Sequence, residues 1–156
     1  MNIPDKISLS LFWLLFIAAV VFSGFYVNIG AGDNDFFSLP TPQKLCAKYG
    51  CNATTGISLQ RLMLQTHTHL FGMTFLALFS WFALKRNKFL SQHKTTKGIL
   101  QILPFIATIV GISSWWLCRC HGYFSWFVFF GGMIYTISLV LAAIFNLFSI
   151  WNVKKH

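Results

Sequence analysis

Residues 123–151 read YFSWFVFFGGMIYTISLVLAAIFNLFSIW, a run without a single charged side chain. A helix crosses the hydrocarbon core of a bilayer in about 20 residues, at a rise of about 1.5 Å per residue. The run therefore predicts a membrane-spanning helix with length to spare, which implies that it tilts or extends beyond the lipid. Three other apolar runs are long enough to cross a bilayer, and they cover residues 7–29, 62–84 and 99–118.

The composition agrees with a membrane protein and excludes several other classes. Only 10% of the 156 residues are charged and 56% are hydrophobic, whereas a soluble domain carries about 25% charged residues. This balance excludes a soluble domain, a disordered chain and a secreted disulfide scaffold. The net charge of +9 does not indicate a nucleic-acid partner, because the cations lie in short segments between apolar runs. The partner that this pattern predicts is the lipid bilayer.

The predicted fold class is an all-α integral membrane protein with one domain, residues 1–156. The four helices are joined by an outer loop, residues 30–61, by a loop at residues 85–98 and by a short connection after residue 118. Short connections make neighbouring helices antiparallel, so the expected architecture is an up-down bundle of four transmembrane helices.

The charge distribution predicts the orientation. The loop at residues 85–98 holds five cations and no anion, which places it in the cytoplasm by the positive-inside rule. Lys6, Lys154 and Lys155 agree, since four crossings return both termini to one side. The first helix has no small-residue cleavage site after it and is interpreted as an uncleaved anchor. We therefore expect a multi-pass protein of a bacterial inner membrane with both termini cytoplasmic.

The outer loop contains one predicted helix of its own. Thr41 is a suitable N-cap residue and Pro42 suits the first helical position, so a short helix is expected to run to Tyr49. Gly50 follows directly and would serve as the C-terminal cap.

Chemistry-bearing residues gather at the outer end of the predicted bundle. Three of the five histidines (His67, His69 and His121) and all four cysteines fall there. A histidine in a membrane segment is costly unless it has a partner, and it is a functional candidate by default. The competing interpretation is that water at the interface satisfies His67 and His121. His69 lies deeper, on a weakly polar stripe that is expected to face the other helices.

A pair of histidines on neighbouring helix ends is typical of a site that holds haem iron from both sides. We therefore expect one haem b between His69 and His121, with His67 as the reserve ligand. The small Gly72 would admit the macrocycle, although small residues also serve close helix packing. No acidic side chain lies within the membrane segments, so paired-carboxylate catalysis and an acidic proton relay are excluded.

Two further residues complete the expected haem site. Trp115 would wall the pocket and Arg119 would pair with a haem propionate. Each has an alternative: Trp115 could belong to an aromatic belt at the membrane interface, and Arg119 could extend its charge to water.

The motif THTHLFGM at residues 66–73 resembles the His-x-His helix of haem–copper oxidases and nitric oxide reductases, in which such histidines serve haem. The resemblance covers about ten residues and implies that His67 and His69 are candidate ligands. It stops there, because the chain is much shorter and has no histidines for a copper centre. Positions two apart on a helix point about 200° apart, so a single site uses one of them, and the polar stripe favours His69. The chain also looks like the small uncharacterised four-helix membrane proteins of bacteria.

The cysteines support other hypotheses. Disulfide candidates are Cys46, Cys51, Cys118 and Cys120, which allow three complete pairings; a Cys46–Cys51 bond that pins the outer loop and a bridge from this loop to the bundle both remain open. Two cysteine pairs on four helices are similar to the quinone-linked membrane thiol oxidases, but the Cys-x-x-Cys spacing is missing. Residues 118–121, CRCH, are one residue short of a c-type haem attachment motif.

Copper is the alternative metal. His69 and Met73 share a helix face at i, i+4, and with the cysteines and His121 they would suit Cu(I). The function expected from all of these features is a small b-type cytochrome-like electron carrier or accessory redox subunit, exchanging electrons with quinol or a periplasmic carrier. The alternatives are a non-catalytic subunit or assembly factor of a larger membrane complex and, third, a quinone-linked thiol oxidoreductase.

Overall fold

A computed structural model describes residues 3–29, 41–50 and 57–151, with side chains of the first helix described for residues 3–22. Its helices are α1 (Ile3–Ile29), α2 (Pro42–Tyr49), α3 (Leu59–Lys85), α4 (Lys94–Leu117) and α5 (Phe124–Trp151). A short 3₁₀ helix, Phe89–Gln92, lies between α3 and α4. The described ranges contain no β-strand, which confirms the all-α fold class. Cys51, His156 and most of the predicted outer loop lie outside the described residues.

Helices α3 and α4 begin before the apolar runs that predict them. α3 begins at Leu59, three residues before the run at residue 62, since the Ser58 hydroxyl accepts a hydrogen bond from the Arg61 backbone N–H at 3.3 Å. α4 begins at Lys94, among the cations of the connecting loop. Cationic residues near helix ends reach the membrane interface with their long side chains. A charged residue such as Lys94 can therefore be part of the helix.

The central contact of the bundle joins α4 and α5. Gly131 of α5 lies against the backbone of α4, so closely that an added Cβ would be 3.2 Å from Gly111 Cα and 3.5 Å from the Ala107 carbonyl oxygen. Helices in lipid associate by close packing rather than by a hydrophobic force between them, and small residues permit this approach. The two glycines therefore set the distance between α4 and α5.

α1 packs mainly on α5 and is tied to α3 by aromatic rings. Phe12, Trp13 and Phe16 surround Phe79 of α3, with ring centroids 5.5 to 6.2 Å from that ring. At the end of α5, the Trp151 indole N–H donates to the Ser10 hydroxyl at 3.1 Å. These contacts leave α1 at the side of the bundle.

A buried amide pair joins the α3–α4 connection to α5. The Asn87 side-chain amide donates to the Phe145 carbonyl at 2.9 Å and to Asn146 Oδ1 at 3.1 Å. The oxygen of the same side chain accepts the Leu90 N–H at 3.0 Å. Buried polar groups are costly when unpaired, so this network fixes the connection against the bundle.

The outer surface of the helices is apolar. On α3 the exposed side chains include Leu64, Phe71, Phe75 and Phe82, each at least half exposed. Four helices are long and apolar enough to cross a membrane: residues 3–22 of α1, and α3, α4 and α5 over their full lengths. The protein is therefore a membrane protein with four candidate spans, and a lipid bilayer covers its apolar surface.

Candidate functional site

The short helix α2 forms one wall of the site, and its two ends are fixed as the sequence predicts. The Thr41 hydroxyl accepts from the Lys44 N–H at 3.4 Å, with Pro42 in the first turn. Gly50 adopts a φ of 94°, and its N–H donates to the Cys46 carbonyl at 3.1 Å. Only glycine adopts this left-handed conformation without strain. The predicted caps are confirmed, and α2 presents Tyr49 and Leu45 to the bundle.

Tyr49, Trp115 and His69 form a row of three rings contributed by α2, α4 and α3. The Tyr49 and Trp115 rings stack with centroids 5.2 Å apart and an interplanar angle of 8°. The His69 imidazole meets Trp115 in a T-shaped contact with centroids 5.0 Å apart. Trp115 is only 8% exposed, so it is a core residue and not a member of an interface belt. Trp115 therefore lies beside His69, and its role as the wall of a haem pocket stays a prediction.

His69 is held in one tautomer by its own helix. Its Nδ1 lies 2.9 Å from the Gln65 carbonyl oxygen. A carbonyl oxygen can only accept, so Nδ1 carries the proton, and the lone pair of the neutral ring is on Nε2. Metal-ligating histidines characteristically donate their other ring N–H to a carbonyl or a carboxylate in this way. The ring is therefore prepared for ligation through Nε2.

The position of His69 differs from the expectation based on the polar stripe. That stripe predicts an imidazole facing the bundle interior, but the side chain is exposed. The interior at this level is filled by a cluster that includes Trp115, the fully buried Leu62 and the fully buried Cys118. Large apolar side chains occupy the interior at this level, and His69 lies beside them as an exposed side chain in contact with Trp115.

The other two candidate ligands lie apart from this row. His67 is exposed and contacts Phe71, with ring centroids 5.2 Å apart. His121 is exposed in the turn before α5, where its backbone N–H donates to Leu117 and its carbonyl accepts from Phe124. The hydrogen bonds of His121 come from its backbone, whereas the His69 side chain contacts Gln65 and Trp115. That His69 and His121 bind the same haem iron therefore stays a prediction.

The glycines near the candidate site have two different roles. A Cβ added to Gly72, three residues after His69 on α3, would meet no atom within 4 Å. The surface beside His69 is therefore open. Gly131 instead makes the close α4–α5 contact, and Gly132 beside it faces open space. Close packing is thus the role of Gly131, while Gly72 leaves room next to the imidazole.

Ile57, at the start of the segment that leads into α3, connects three parts of the site. Its N–H donates to the Lys48 carbonyl at 3.0 Å, and its carbonyl accepts from Arg119 Nη1 at 3.1 Å. The Trp116 indole N–H adds a bond to the Thr66 hydroxyl at 3.0 Å. Sequence reasoning missed Tyr49, Ile57 and Trp116 as site residues; the predicted helix up to Gly50 was the one signal that could have indicated Tyr49.

The charged side chains that the structure describes at this end of the bundle are cations. The pKa of Lys48 is lowered, first by burial and second by the charge of Arg61. Burial raises the pKa of Tyr49, with a smaller contribution from Cys118. The described part of the chain contains one acidic residue, Asp5, at the opposite end of the bundle. Lys48 and Arg61 thus place positive charge beside the site.

The cysteines are divided between two states. Cys118 and Cys120 are free thiols, Cys118 buried and Cys120 exposed, so the predicted disulfides that use either of them are absent from the structure. Cys118 packs inside the apolar cluster, in which its neighbours include Leu45 and Tyr49 of α2. Cys46 is not without a partner, and Cys51 lies outside the described residues, so the Cys46–Cys51 bond stays a prediction.

The arrangement of the candidate donor side chains does not favour a copper site. Within residues 41–50 and 57–151, no three His, Cys or acidic side chains gather as a metal site requires. Met73 packs between two apolar clusters, and Cys118 is buried in one of them. The soft ligands that the copper alternative uses are therefore taken up by packing.

Comparison with known proteins gives a family. No curated protein and no solved structure matches the chain. A family model described as a transmembrane helical domain matches residues 40–156, which begins just before the Thr41 cap and includes α2 to α5 and every described site residue. The chain therefore belongs to the family that shares this transmembrane helical domain, and α1 precedes the matched region.

Proposed function

We propose that this protein is a small b-type cytochrome-like electron carrier or accessory redox subunit, which binds one haem b at the end of the bundle that contains α2. His69 and His121 would hold the haem iron, with His67 in reserve. The observation that carries the proposal is the 2.9 Å contact between His69 Nδ1 and the Gln65 carbonyl. This contact leaves Nε2 as the free donor of an exposed imidazole.

The residues around His69 fit a haem on the outer face of α3 better than one inside the bundle. Gly72 leaves the adjoining surface open, and Trp115 holds the imidazole from the inner side. The interior is closed by the cluster around Leu62 and Cys118. The macrocycle would therefore lie against the apolar surface of α3, in lipid or against a partner subunit.

The chain's own residues orient and neutralise the group. When bound, haem supplies reversible one-electron oxidation and reduction of its iron. Gln65 and Trp115 fix the His69 ring, while Arg119, Arg61 and Lys48 offer positive charge to the propionates. The bond of Arg119 to Ile57 uses one of the five guanidinium N–H donors, so the others remain for an anion.

The setting of the proposal is a bacterial inner membrane with both termini in the cytoplasm and the haem near the periplasmic face. The support is the cationic segment at residues 85–98, which holds five cations and no anion. Electrons would come from quinol in the bilayer or from a periplasmic carrier, and other subunits of a membrane complex could cover the haem.

The test is an absorption spectrum of the detergent-purified protein, oxidised by air and then reduced by dithionite. We expect a Soret band that shifts on reduction, is lost in His69→Ala and weakens in His121→Ala. His93→Ala is the control, since His93 lies at the other end of the bundle. A second variant, Gly72→Leu, should fold normally and still lose haem, because the added side chain enters open space beside His69. A colourless protein, even after expression with a haem precursor, would refute the proposal.

The second candidate is a non-catalytic subunit or assembly factor in which His69 is structural. The same observation supports it, because the hydrogen bond to Gln65 and the ring contact with Trp115 would also stabilise a histidine that binds no haem. Co-purification of a colourless chain with other membrane subunits would favour it. A thiol oxidoreductase is disfavoured, because Cys118 is fully buried and burial raises the pKa of its thiol to about 11, which suppresses the reactive thiolate.

A further inference from the structure

A cavity of about 510 Å³ lies between α1, α3 and α5, at the opposite end of the bundle from His69. It is lined by three cations, Lys6, Arg86 and Lys88, and by an aromatic group consisting of Phe12, Trp13 and Phe79. We propose that this cavity is a binding site for one anionic phospholipid. The three cations hold the phosphate of the headgroup, and the aromatic group contacts the first part of an acyl chain.

The polarity of the cavity changes in the same direction on two antiparallel helices. Trp13 comes seven positions after Lys6 on α1, and Arg86, the C-cap of α3, comes seven positions after Phe79. Each interval is about 10 Å along a helix. Because the chain direction is opposite in the two helices, both cations lie at the same end, and both aromatic residues lie deeper. A ligand that matches this gradient has a charged head and an apolar tail over the same distance.

The charges of the cavity favour an anion. Among the described residues, those that line it include three cations and no carboxylate. Asn87 and Asn146 also line the cavity, and their amides bond to each other at 3.1 Å. These two amides are neutral and satisfy each other, and the charged side chains in the described lining are all cations. Basic pockets between membrane helices are a known mode of recognising anionic headgroups.

The volume and the walls favour a lipid over a free ion. A cavity of this size falls in the range of about 300–1,000 Å³ that is usual for ligand-sized pockets, far larger than a phosphate needs. Leu9 and Ile150 extend the apolar wall, which an inorganic ion would leave uncovered. The proposal is independent of haem, because no residue of this cavity takes part in the site around His69.

The experiment measures lipid binding to the full-length protein in detergent by native mass spectrometry. Phosphatidylglycerol and phosphatidylcholine with identical acyl chains are compared, and inorganic phosphate is tested separately. We expect one phosphatidylglycerol to bind at least tenfold more tightly than phosphatidylcholine, and phosphate alone to bind weakly. The triple variant Lys6→Gln/Arg86→Gln/Lys88→Gln should lose this preference at least tenfold.

The matched control is Lys85→Gln/Lys94→Gln/Lys97→Gln, which removes the same charge from the same end of the bundle but from residues outside the cavity lining. It should keep the preference. Ala83→Phe is a second variant, which fills the apolar part of the cavity without a change of charge and should also abolish tight binding. Equal binding of the two lipids, an equal loss in the control, or phosphate binding as tight as that of the lipid would each overturn the proposal.

Discussion

Tyr49 and Trp115 stack face to face with ring centroids 5.2 Å apart, and this pair joins the short outer helix α2 to the membrane-spanning helix α4. His69 meets the same indole from α3. The position of the candidate ligand therefore depends on a contact between two residues that lie 66 positions apart in the chain.

The first prediction concerns this stack. Tyr49→Leu should lower the free energy of unfolding by about 0.5–1.5 kcal/mol beyond the lost buried area, because stacked aromatic pairs contribute about that much. Thermal unfolding in detergent, followed by tryptophan fluorescence, measures it. Tyr123→Leu is the control, since Tyr123 is 84% exposed. An equal effect of the two substitutions would show that the stack does not stabilise the fold.

The second prediction uses two adjacent glycines. Gly131→Ala should destabilise the protein by about 1–3 kcal/mol, because the new methyl group would lie 3.2 Å from Gly111 Cα and force α4 and α5 apart. Gly132→Ala should be neutral or slightly stabilising, since its Cβ would meet open space and alanine favours a helix. The melting temperatures of the two variants decide the matter, and a Gly132→Ala defect as large as that of Gly131→Ala would contradict the assigned contact.

The third prediction is a loss of stability at alkaline pH. Burial raises the pKa of Cys118 from 9.0 to about 11. Between these values the unfolded chain loses this proton while the folded protein keeps it, so the free energy of unfolding falls as the pH rises from about 9 to 11. The raised pKa of Tyr49 adds a loss in the same direction at higher pH.

The measurement for this prediction is the melting temperature at several pH values between 7 and 12. Cys118→Ala should show a shallower decline between pH 9 and 11 than the unmodified protein. Cys120→Ala is the control, because Cys120 is exposed, and its decline should match that of the unmodified protein. Identical profiles for all three proteins would remove Cys118 as the cause.

The fourth prediction tests the buried amide pair. Asn87→Ala should cost about 2–3 kcal/mol, because it leaves the Phe145 carbonyl, Asn146 Oδ1 and the Leu90 N–H without this partner. Gln92→Ala, at an exposed position of the same connection, should be nearly neutral. Chemical denaturation followed by circular dichroism compares them. A loss of stability smaller than that of Gln92→Ala would mean that water replaces the hydrogen bonds of the Asn87 side chain.

Part of the candidate site was predictable from local patterns. Thr41, Pro42 and Gly50 specify the ends of α2 because capping depends on neighbouring residues. The packing of Gly131 against Gly111 was not predictable, since Gly132 has the same chemistry and only the rotation of α5 distinguishes the two. The exposed position of His69 was not predicted, for a similar reason. A polar stripe identifies the less apolar side of a helix, but the side chains of the other helices decide whether a residue on that side is buried.

The sequence by itself determined that this is a four-span helical membrane protein, because the length and apolarity of a run are sufficient to select a membrane helix. It also predicted that three histidines and the cysteines lie at one end of the bundle. Only the tertiary structure decided that Trp115 lies between Tyr49 and His69, that Cys118 is buried, and that Lys6 and Arg86 share a cavity. The physical reason is that helices in lipid associate through detailed packing rather than through hydrophobicity, so the composition of a helix does not reveal which of its faces finds a partner.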